Sequence, residues 1–246
     1  MKNRIALVTG GLGDIGTKIC HEFCTRGAKV IAVDRLAKDK ALLWQAEQKK
    51  LGFDIELGFA DVTQFDSCAE LQNDVEKRVG PVDILINAAG TINDATLHKM
   101  TPEQWNQVVH TDLDSVFNVT RQFINGMIER GYGRIVNISS VNGEKGQFGQ
   151  TNYSSAKSGI YGFSKSLAQE VAKHGITVNS ISPGYVESRM VLSVSKEVLA
   201  KIIAGIPVGR LAKPEEIAWS IAFLASERSA FITGTNLSVN GGIHMG

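Results

Sequence analysis

The chain has 246 residues, 43% of them hydrophobic, which is enough to bury a full core in one α/β domain. Its 26 basic and 25 acidic side chains leave a formal charge of +1, giving no reason to expect nucleic acid or an anionic membrane as a partner. No apolar run approaches the ~20 residues that span a bilayer, and Met1-Lys2-Asn3-Arg4 leads straight into an apolar stretch without signal-peptide character, so a cytoplasmic protein is expected.

The first apolar run, Ile5-Ala6-Leu7-Val8, predicts a buried strand over 5–8, and Thr9-Gly10-Gly11-Leu12-Gly13-Asp14-Ile15-Gly16 follows it as a glycine-rich turn opening a helix over 16–26. Such a turn lets backbone N–H groups approach a pyrophosphate, and the helix N-terminus adds partial positive charge. A second strand, over 29–33, ends in Asp34, the place at which a dinucleotide fold sets a ribose-binding carboxylate. Helices are predicted over 38–51, 66–79, 102–130 with a break, 152–173 and 214–226, alternating with strands over 54–59, 82–86, 133–138, 176–181 and 235–239. The start at Thr101-Pro102-Glu103-Gln104 combines a capping threonine, a proline at the first helical position and a glutamine that can close a capping box. This alternation is the pattern of a parallel sheet covered on both faces. Cys20 and Cys24 share a helix face and Cys68 stands apart, which suits small buried side chains and neither a disulfide frame nor a metal site. The segment 185–212 fits the alternation least well, with Pro183-Gly184 before it and Pro207 within it, and reads as a hinged lid.

Tyr153-Ser154-Ser155-Ala156-Lys157 puts a phenol and an ammonium one helical turn apart, on one face. A nearby ammonium favours the ionised form of a tyrosine, so the pair can serve as an acid and base nearer neutrality. Alone the spacing means little; combined with the nucleotide turn it points to hydride and proton chemistry.

The turn from Thr9 to Gly16, Asp61-Val62, Asn87-Ala88-Ala89-Gly90, Ser140, Tyr153, Lys157 and Pro183-Gly184 fall in an order and spacing that resembles the short-chain dehydrogenase/reductase family from end to end. The resemblance implies a single-domain, Rossmann-type, doubly wound sheet of seven parallel strands with helices on both faces. Within the family the likeness is strongest to the acetoacetyl-CoA reductases of polyhydroxybutyrate synthesis. It is carried by Gly133-Arg134-Ile135-Val136-Asn137-Ile138-Ser139-Ser140-Val141-Asn142-Gly143, by Lys145-Gly146-Gln147-Phe148-Gly149-Gln150-Thr151-Asn152-Tyr153, and by the terminal run from Asn240 to Gly246. The implied reaction is NAD(P)H-dependent reduction of a 3-oxoacyl-CoA thioester, acetoacetyl-CoA, to the (R)-3-hydroxy product.

In that reading Tyr153 gives a proton to the carbonyl oxygen, Ser140 orients the same carbonyl, and Lys157 binds the nicotinamide ribose and lowers the tyrosine pKa. Cofactor contacts would come from Gly10, Leu12, Gly13, Asp14, Ile15 and Gly16, from Asp34, Arg35, Asp61 and Val62, from Asn87, Ala88, Ala89 and Gly90, and from Pro183, Gly184 and Val186, besides Tyr153 and Lys157. Asp94, Ser140, Gln147, Phe148, Gln150 and Tyr185 would line the substrate pocket, and a homotetramer is implied. Two positions depart from the family pattern. Asp14 replaces a usual glycine, so its carboxylate must point outward or cap the helix, and Asp112 replaces the asparagine of the catalytic tetrad.

Asp34 favours NAD(H), because a carboxylate accepts from both ribose hydroxyls and repels a 2′-phosphate. Arg35, Lys38 and Lys40 could neutralise that phosphate, so NADP(H) stays open. The rival substrate is a 3-oxoacyl-[acyl-carrier-protein] thioester. Reductases of that type present arginines to their acidic carrier, at positions held here by Gly131 and His174. A non-catalytic dinucleotide-binding protein is the remaining alternative, against which stand Ser140, Tyr153 and Lys157 together.

Overall fold

A computed structural model describes residues 1–35 and 37–245, so Gly246 of the terminal run lies outside them. Seven parallel strands form one sheet in the order β3-β2-β1-β4-β5-β6-β7: β1 Ile5–Thr9, β2 Lys29–Asp34, β3 Ile55–Phe59, β4 Ile84–Asn87, β5 Gly133–Ile138, β6 Ile176–Pro183 and β7 Asn236–Val239. Side chains alternate across the pleat, and the two sheet faces are therefore written into neighbouring residues. Ala6, Val8, Val30, Ala32, Ile84, Ile86, Val136 and Ile181 meet α1 (Asp14–Thr25) and α10 (Pro214–Leu224) through Ile19, Phe23, Ile217 and Ile221. Leu7, Ile31, Val33, Leu85, Ile135 and Val178 face the other way, onto α3 (Phe65–Arg78), α5 (Ser115–Arg130) and α7 (Thr151–Val171). The Rossmann-type expectation of a doubly wound sheet is met. The remaining helices are α2 (Lys38–Lys50), α4 (Pro102–Val109), α6 (Val141–Lys145), α8 (Arg189–Leu192) and α9 (Lys196–Ala204).

Strand order reverses between β1 and β4, which pair with Thr9 opposite Asn87. A crevice opens outside the carboxyl ends of the strands at such a point. A polar row crosses the sheet there: Asn87 stands opposite Asn137, and Asn137 opposite Ser180. The Asn87 amide donates to Thr120 Oγ1 at 3.0 Å and to Asn137 Oδ1 at 2.8 Å, while Asn137 Nδ2 reaches Ser164 Oγ at 2.9 Å, tying α5 and α7 to the strand ends.

Several predicted boundaries shift for local reasons. The long predicted helix over 102–130 does break, into α4 and α5, through one wide π-type turn at His110–Asp114. At its start the capping box is complete: Gln104 N–H donates to Thr101 Oγ1 at 3.2 Å, and Thr101 N–H donates to Gln104 Oε1 at 2.9 Å. The short α6 was not legible from periodicity. The 185–212 segment contains α8 and α9, each opened by a serine hydroxyl, Ser188 accepting from Val191 N–H and Ser195 from Val198 N–H, both at 3.3 Å. Burial pushes the Cys24 and Cys68 thiols up to about 11 and raises that of Cys20 too; all three are free thiols.

The 185–212 segment is fastened at several places, among them Val208 N–H to the Gly241 carbonyl at 3.1 Å and Arg210 to Glu216 at 2.7 Å. Its ends meet where Ala212 N–H donates to the Tyr185 carbonyl and Glu187 N–H to the Ala212 carbonyl, both at 2.9 Å. Near its start Asp14, the first residue of α1, turns outward and clasps α8: Oδ1 accepts from Arg189 Nε at 2.8 Å and Oδ2 from Arg189 N–H at 2.7 Å. Beyond the clasp α9 has no buried residue. Exposed ion pairs contribute about 0.2–1 kcal/mol, so Arg189→Ala should speed limited proteolysis within 189–204 by about two- to fivefold while leaving the global melting temperature unchanged. Digestion at the wild-type rate would show that the clasp does not restrain the segment.

Candidate active site

Three elements converge at the carboxyl edge of the sheet. β5 delivers Ser139 and Ser140, α7 delivers Tyr153 and Lys157, and the wide turn between α4 and α5 delivers Asp112. The start of α7 is pinned by Asn152, whose Nδ2 donates to the carbonyls of Asn93 at 2.9 Å and Gln104 at 3.2 Å, while its Oδ1 accepts from Tyr153 N–H at 2.8 Å. One turn later the Ser139 hydroxyl donates to the Lys157 carbonyl at 2.7 Å. The phenol and ammonium are thus set by a helix that is bolted at both turns.

Ser140 is buried, and its Oγ accepts from Asn142 N–H at 3.1 Å, which leaves its own proton for another acceptor. Its carbonyl takes the Tyr161 hydroxyl at 3.0 Å, fixing the Ser140 main chain to α7. Tyr153 is half-buried, with the Lys157 Nζ 5.6 Å from its ring centroid. Lys157 is 4% exposed; Nζ donates to the Ile138 carbonyl at 2.9 Å and lies 3.1 Å from Asp112 Oδ2. Burial pulls the Lys157 ammonium down, but the facing Asp112 carboxylate, followed by Tyr153, outweighs it and the net shift is upward. For Asp112 burial pushes the carboxyl up, against the pull of Lys157 and of the Thr91 N–H. A hydroxyl with a free proton, a phenol and a cation together can stabilise and protonate an oxygen on which negative charge develops.

The glycine-rich turn beside this group is shaped for close approach. A Cβ on Gly16 would lie 2.1 Å from the Gly10 carbonyl, and Gly10 itself has φ +62°. The buried Thr9 Oγ1 accepts from the N–H groups of Ala88 at 3.0 Å and Ala89 at 3.1 Å, locking the β4 loop against the turn. Gly13 caps α1 and Asp14 opens it, leaving backbone donors at a helix N-terminus, so the cradle fits a dinucleotide pyrophosphate. Leu12 is buried and Ile15 packs against the core, so they offer this cradle main chain only. Asp34 ends β2 and Arg35 follows it, exposed. Asp61 Oδ1 accepts from the Thr63 hydroxyl at 2.7 Å and the Thr63 N–H at 3.0 Å, which hold its carboxyl below the usual range. The Val62 carbonyl accepts from Asn118 Nδ2 at 3.0 Å. Because the Asn87 amide is turned into the polar row, it too offers only main chain. Pro183 ends β6, Gly184 N–H donates to the Val239 carbonyl at 3.0 Å, and Val186 is buried.

The expected substrate residues fall into two groups. Asp94 Oδ2 accepts from Gln150 Nε2 at 2.8 Å, and Gln150 Oε1 accepts from Asn142 Nδ2 at 3.0 Å, so this chain of amides runs back to Ser140. Gln147 accepts from Lys145 Nζ at 2.9 Å, and Phe148 stands 86% exposed on the same loop. Tyr185 lies apart, lining a cavity of ≈ 140 Å³ with Ile206, Val208, Arg210 and Asn240. Sequence reasoning missed Thr91, which follows the Asn87-to-Gly90 motif and holds Asp112, as well as Asn142 and Arg189. Thr91 and Asn142 lie beside or inside motifs already singled out, but Arg189 gave no signal, being 175 positions from Asp14.

Comparison with known proteins bears on this geometry. A family model described as Enoyl-(Acyl carrier protein) reductase matches residues 12–244. An acetoacetyl-CoA reductase of Cupriavidus necator is 52% identical over 246 residues, covering 100% of both chains, and that of Allochromatium vinosum is 52% identical over 243 residues, 98% of this chain and 99% of its own. The 3-oxoacyl-[acyl-carrier-protein] reductase of Escherichia coli is 42% identical over 244 residues, 99% of this chain and 98% of its own. Matched from the nucleotide turn to the last residues, the chain belongs to the short-chain dehydrogenase/reductase family and is an NAD(P)-dependent oxidoreductase.

Proposed function

We propose that the enzyme reduces acetoacetyl-CoA to (R)-3-hydroxybutyryl-CoA. The observation that carries this is the convergence of a proton-free-to-donate Ser140 hydroxyl, the Tyr153 phenol and a buried Lys157 ammonium beside a dinucleotide cradle. Two relatives half identical over the whole chain bear that activity in their names, and they weigh more than the more distant carrier-protein reductase. A bound nicotinamide dinucleotide supplies the hydride. Ser140 donates a hydrogen bond to the ketone oxygen and fixes its direction. Tyr153 gives that oxygen its proton, and Lys157 stabilises the phenolate left behind. Asp112 sustains Lys157. Each donor meets more charge in the transition state than in the ground state, the condition for acceleration.

The choice of a CoA thioester over a carrier-protein thioester rests on a surface. Gly175 abuts Gly131, since a Cβ on Gly175 would lie 2.5 Å from the Gly131 carbonyl, so Gly131 and His174 sit at one edge. Neither carries a guanidinium, and the neighbouring Arg130 is turned in on the Val82 carbonyl at 2.7 Å. Asp94, Gln147, Phe148, Gln150 and Tyr185 line the thioester path in this reading, with 185–212 as the lid. Asp34, at the end of β2, favours NAD(H). Exposed aromatics support a homotetramer: Trp105, the stacked pair Phe65 and Phe117, the stacked pair Trp219 and Phe223, and the fully exposed Phe231, while Leu224 and Ala225 are core. No helix of the described residues is long and apolar enough to cross a membrane, in keeping with work in the cytoplasm on polymer precursors.

The test is the initial rate of acetoacetyl-CoA reduction with NADH and with NADPH, with product stereochemistry and the carrier-protein thioester run alongside. Efficient formation of the (R)-3-hydroxy CoA ester is expected; turnover of the carrier ester alone would overturn the substrate reading. Tyr153→Phe should lose about 10²- to 10⁴-fold in kcat. Asp34→Ala should weaken NADH use and improve NADPH use, and an unchanged ratio would sink the NAD(H) preference.

A further inference from the structure

Helix α6 begins at Ser140 and ends beside the last strand, where the Glu144 side chain meets β7. Glu144 Oε1 accepts from Asn236 Nδ2 at 2.6 Å and from the Ser238 hydroxyl. With its nitrogen so engaged, the Asn236 amide turns its oxygen toward β6, and Oδ1 accepts from Ser180 Oγ at 2.9 Å and from Ser182 Oγ at 3.1 Å. Ser182 is fully buried and stands 2.9 Å from the Tyr161 hydroxyl of α7. The Tyr161 proton goes to the Ser140 carbonyl at 3.0 Å, so the Ser182 proton is shared between Tyr161 and Asn236.

These contacts close on themselves. From Ser140 the ring runs along α6 to Glu144, crosses to β7, passes back through β6 to α7 and returns to the Ser140 main chain. Gly143 lets α6 lie directly against α7, since a Cβ there would stand 2.9 Å from the Tyr161 hydroxyl oxygen and 2.9 Å from the Lys157 carbonyl carbon. The Ser140 carbonyl also accepts from Gly143 N–H at 2.9 Å, so Tyr161 grips the first turn of α6 at the atom that closes it. In the same turn Asn142 N–H donates to Ser140 Oγ, and the direction left to the Ser140 proton follows from where that turn sits.

Only one oxygen of Glu144 takes part. Oε2 is buried and has no hydrogen-bond partner, so an amide could keep its oxygen at the Oε1 position without displacing a donor from the other. Position 144 calls for an acceptor, and a charge is not required.

Resting on the assignment of Ser140 as the donor that orients the ketone, we infer that Tyr161 and Glu144 are positioning residues for the reduction. The ring they close holds the Ser140 hydroxyl on the line along which it meets the ketone oxygen. Cutting the ring leaves Ser140 present but loosely aimed, which slows the chemical step. The nucleotide cradle is built from β1, α1 and the β4 loop and is left as it was.

The experiment cuts the ring on two sides, with Tyr161→Phe and with Glu144→Ala, and adds Glu144→Gln, which keeps the acceptor. Each is made in the wild-type holoenzyme and in a Ser140→Ala background. Initial rates are taken with the CoA and carrier-protein thioesters, NADH and NADPH affinities by fluorescence titration, and amide hydrogen exchange over 140–146 by mass spectrometry. Both cuts should lower kcat about three- to tenfold, with nucleotide affinity kept within about twofold. In the Ser140→Ala background the same cuts should cost less than about twofold, because a hydroxyl that is absent cannot be misaimed. Exchange over α6 should quicken in both cuts, and Glu144→Gln should match the wild type in rate and exchange. Equal losses in the two backgrounds, or wild-type rates in both cuts, overturn the inference, and a Glu144→Gln enzyme as slow as Glu144→Ala overturns the acceptor role. Because exchange needs no substrate, faster exchange in a protein that reduces no CoA thioester would sustain the hold on α6 while removing the proposed substrate. Unchanged exchange there would overturn the hold as well. A Ser140→Ala enzyme with the wild-type rate would overturn both the role of Ser140 and the inference built on it.

Discussion

A buried ammonium is the constraint around which the rest of the site is arranged. Lys157 sits on a helix facing the sheet edge, where a charge taken out of water is costly unless it is paired and hydrogen-bonded. The Ile138 carbonyl and the Asp112 carboxylate meet that demand from two further elements, so β5, α7 and the α4–α5 connection are held to one geometry. The wide turn that interrupts the α4–α5 run is then a requirement of the charge. Such turns recur at functional sites because they re-aim one side chain without ending the helix.

The sheet supplies the second level of organisation. Reversal of strand order between β1 and β4 opens the crevice, and Thr9 clamps the two loops that flank it. The polar row beneath, Asn87, Asn137 and Ser164 with Thr120, is buried and largely hydrogen-bonded internally. Networks of this kind rigidify what stands above them. Helix α7 is thus carried by the same residues that finish the strands.

Much of this was legible in the amino-acid order. Strands announced themselves as short apolar runs because both sheet faces are covered, and the turn from Thr9 to Gly16 stood where a strand meets a helix. Tyr153 and Lys157 were legible through helical spacing. Contacts between distant residues were not: nothing near Asp14 announces Arg189, and nothing near Asp112 announces the Thr91 N–H that holds it. Helices α8 and α9 escaped periodicity because they bury little, though Ser188 and Ser195 stood at their starts as capping residues. At the chain's end, Phe223-Leu224-Ala225 reads as uniformly apolar, yet only Leu224 and Ala225 are core, since one helix turn points its neighbours in different directions.

The clasp between Asp14 and Arg189 bears on how a carboxylate can live at the mouth of a glycine-rich cradle shaped to fit a pyrophosphate. Alone, an aspartate there would set an anion against the incoming phosphates and weaken the attraction of the α1 terminus. Paired through one oxygen with the Arg189 guanidinium and through the other with the Arg189 main-chain N–H, it becomes part of a local zwitterion, and the field felt by an approaching dianion stays close to that of the bare helix end. The substitution of aspartate for glycine is in this sense electrostatically silent, made so by a residue on another element that the folded chain brings alongside.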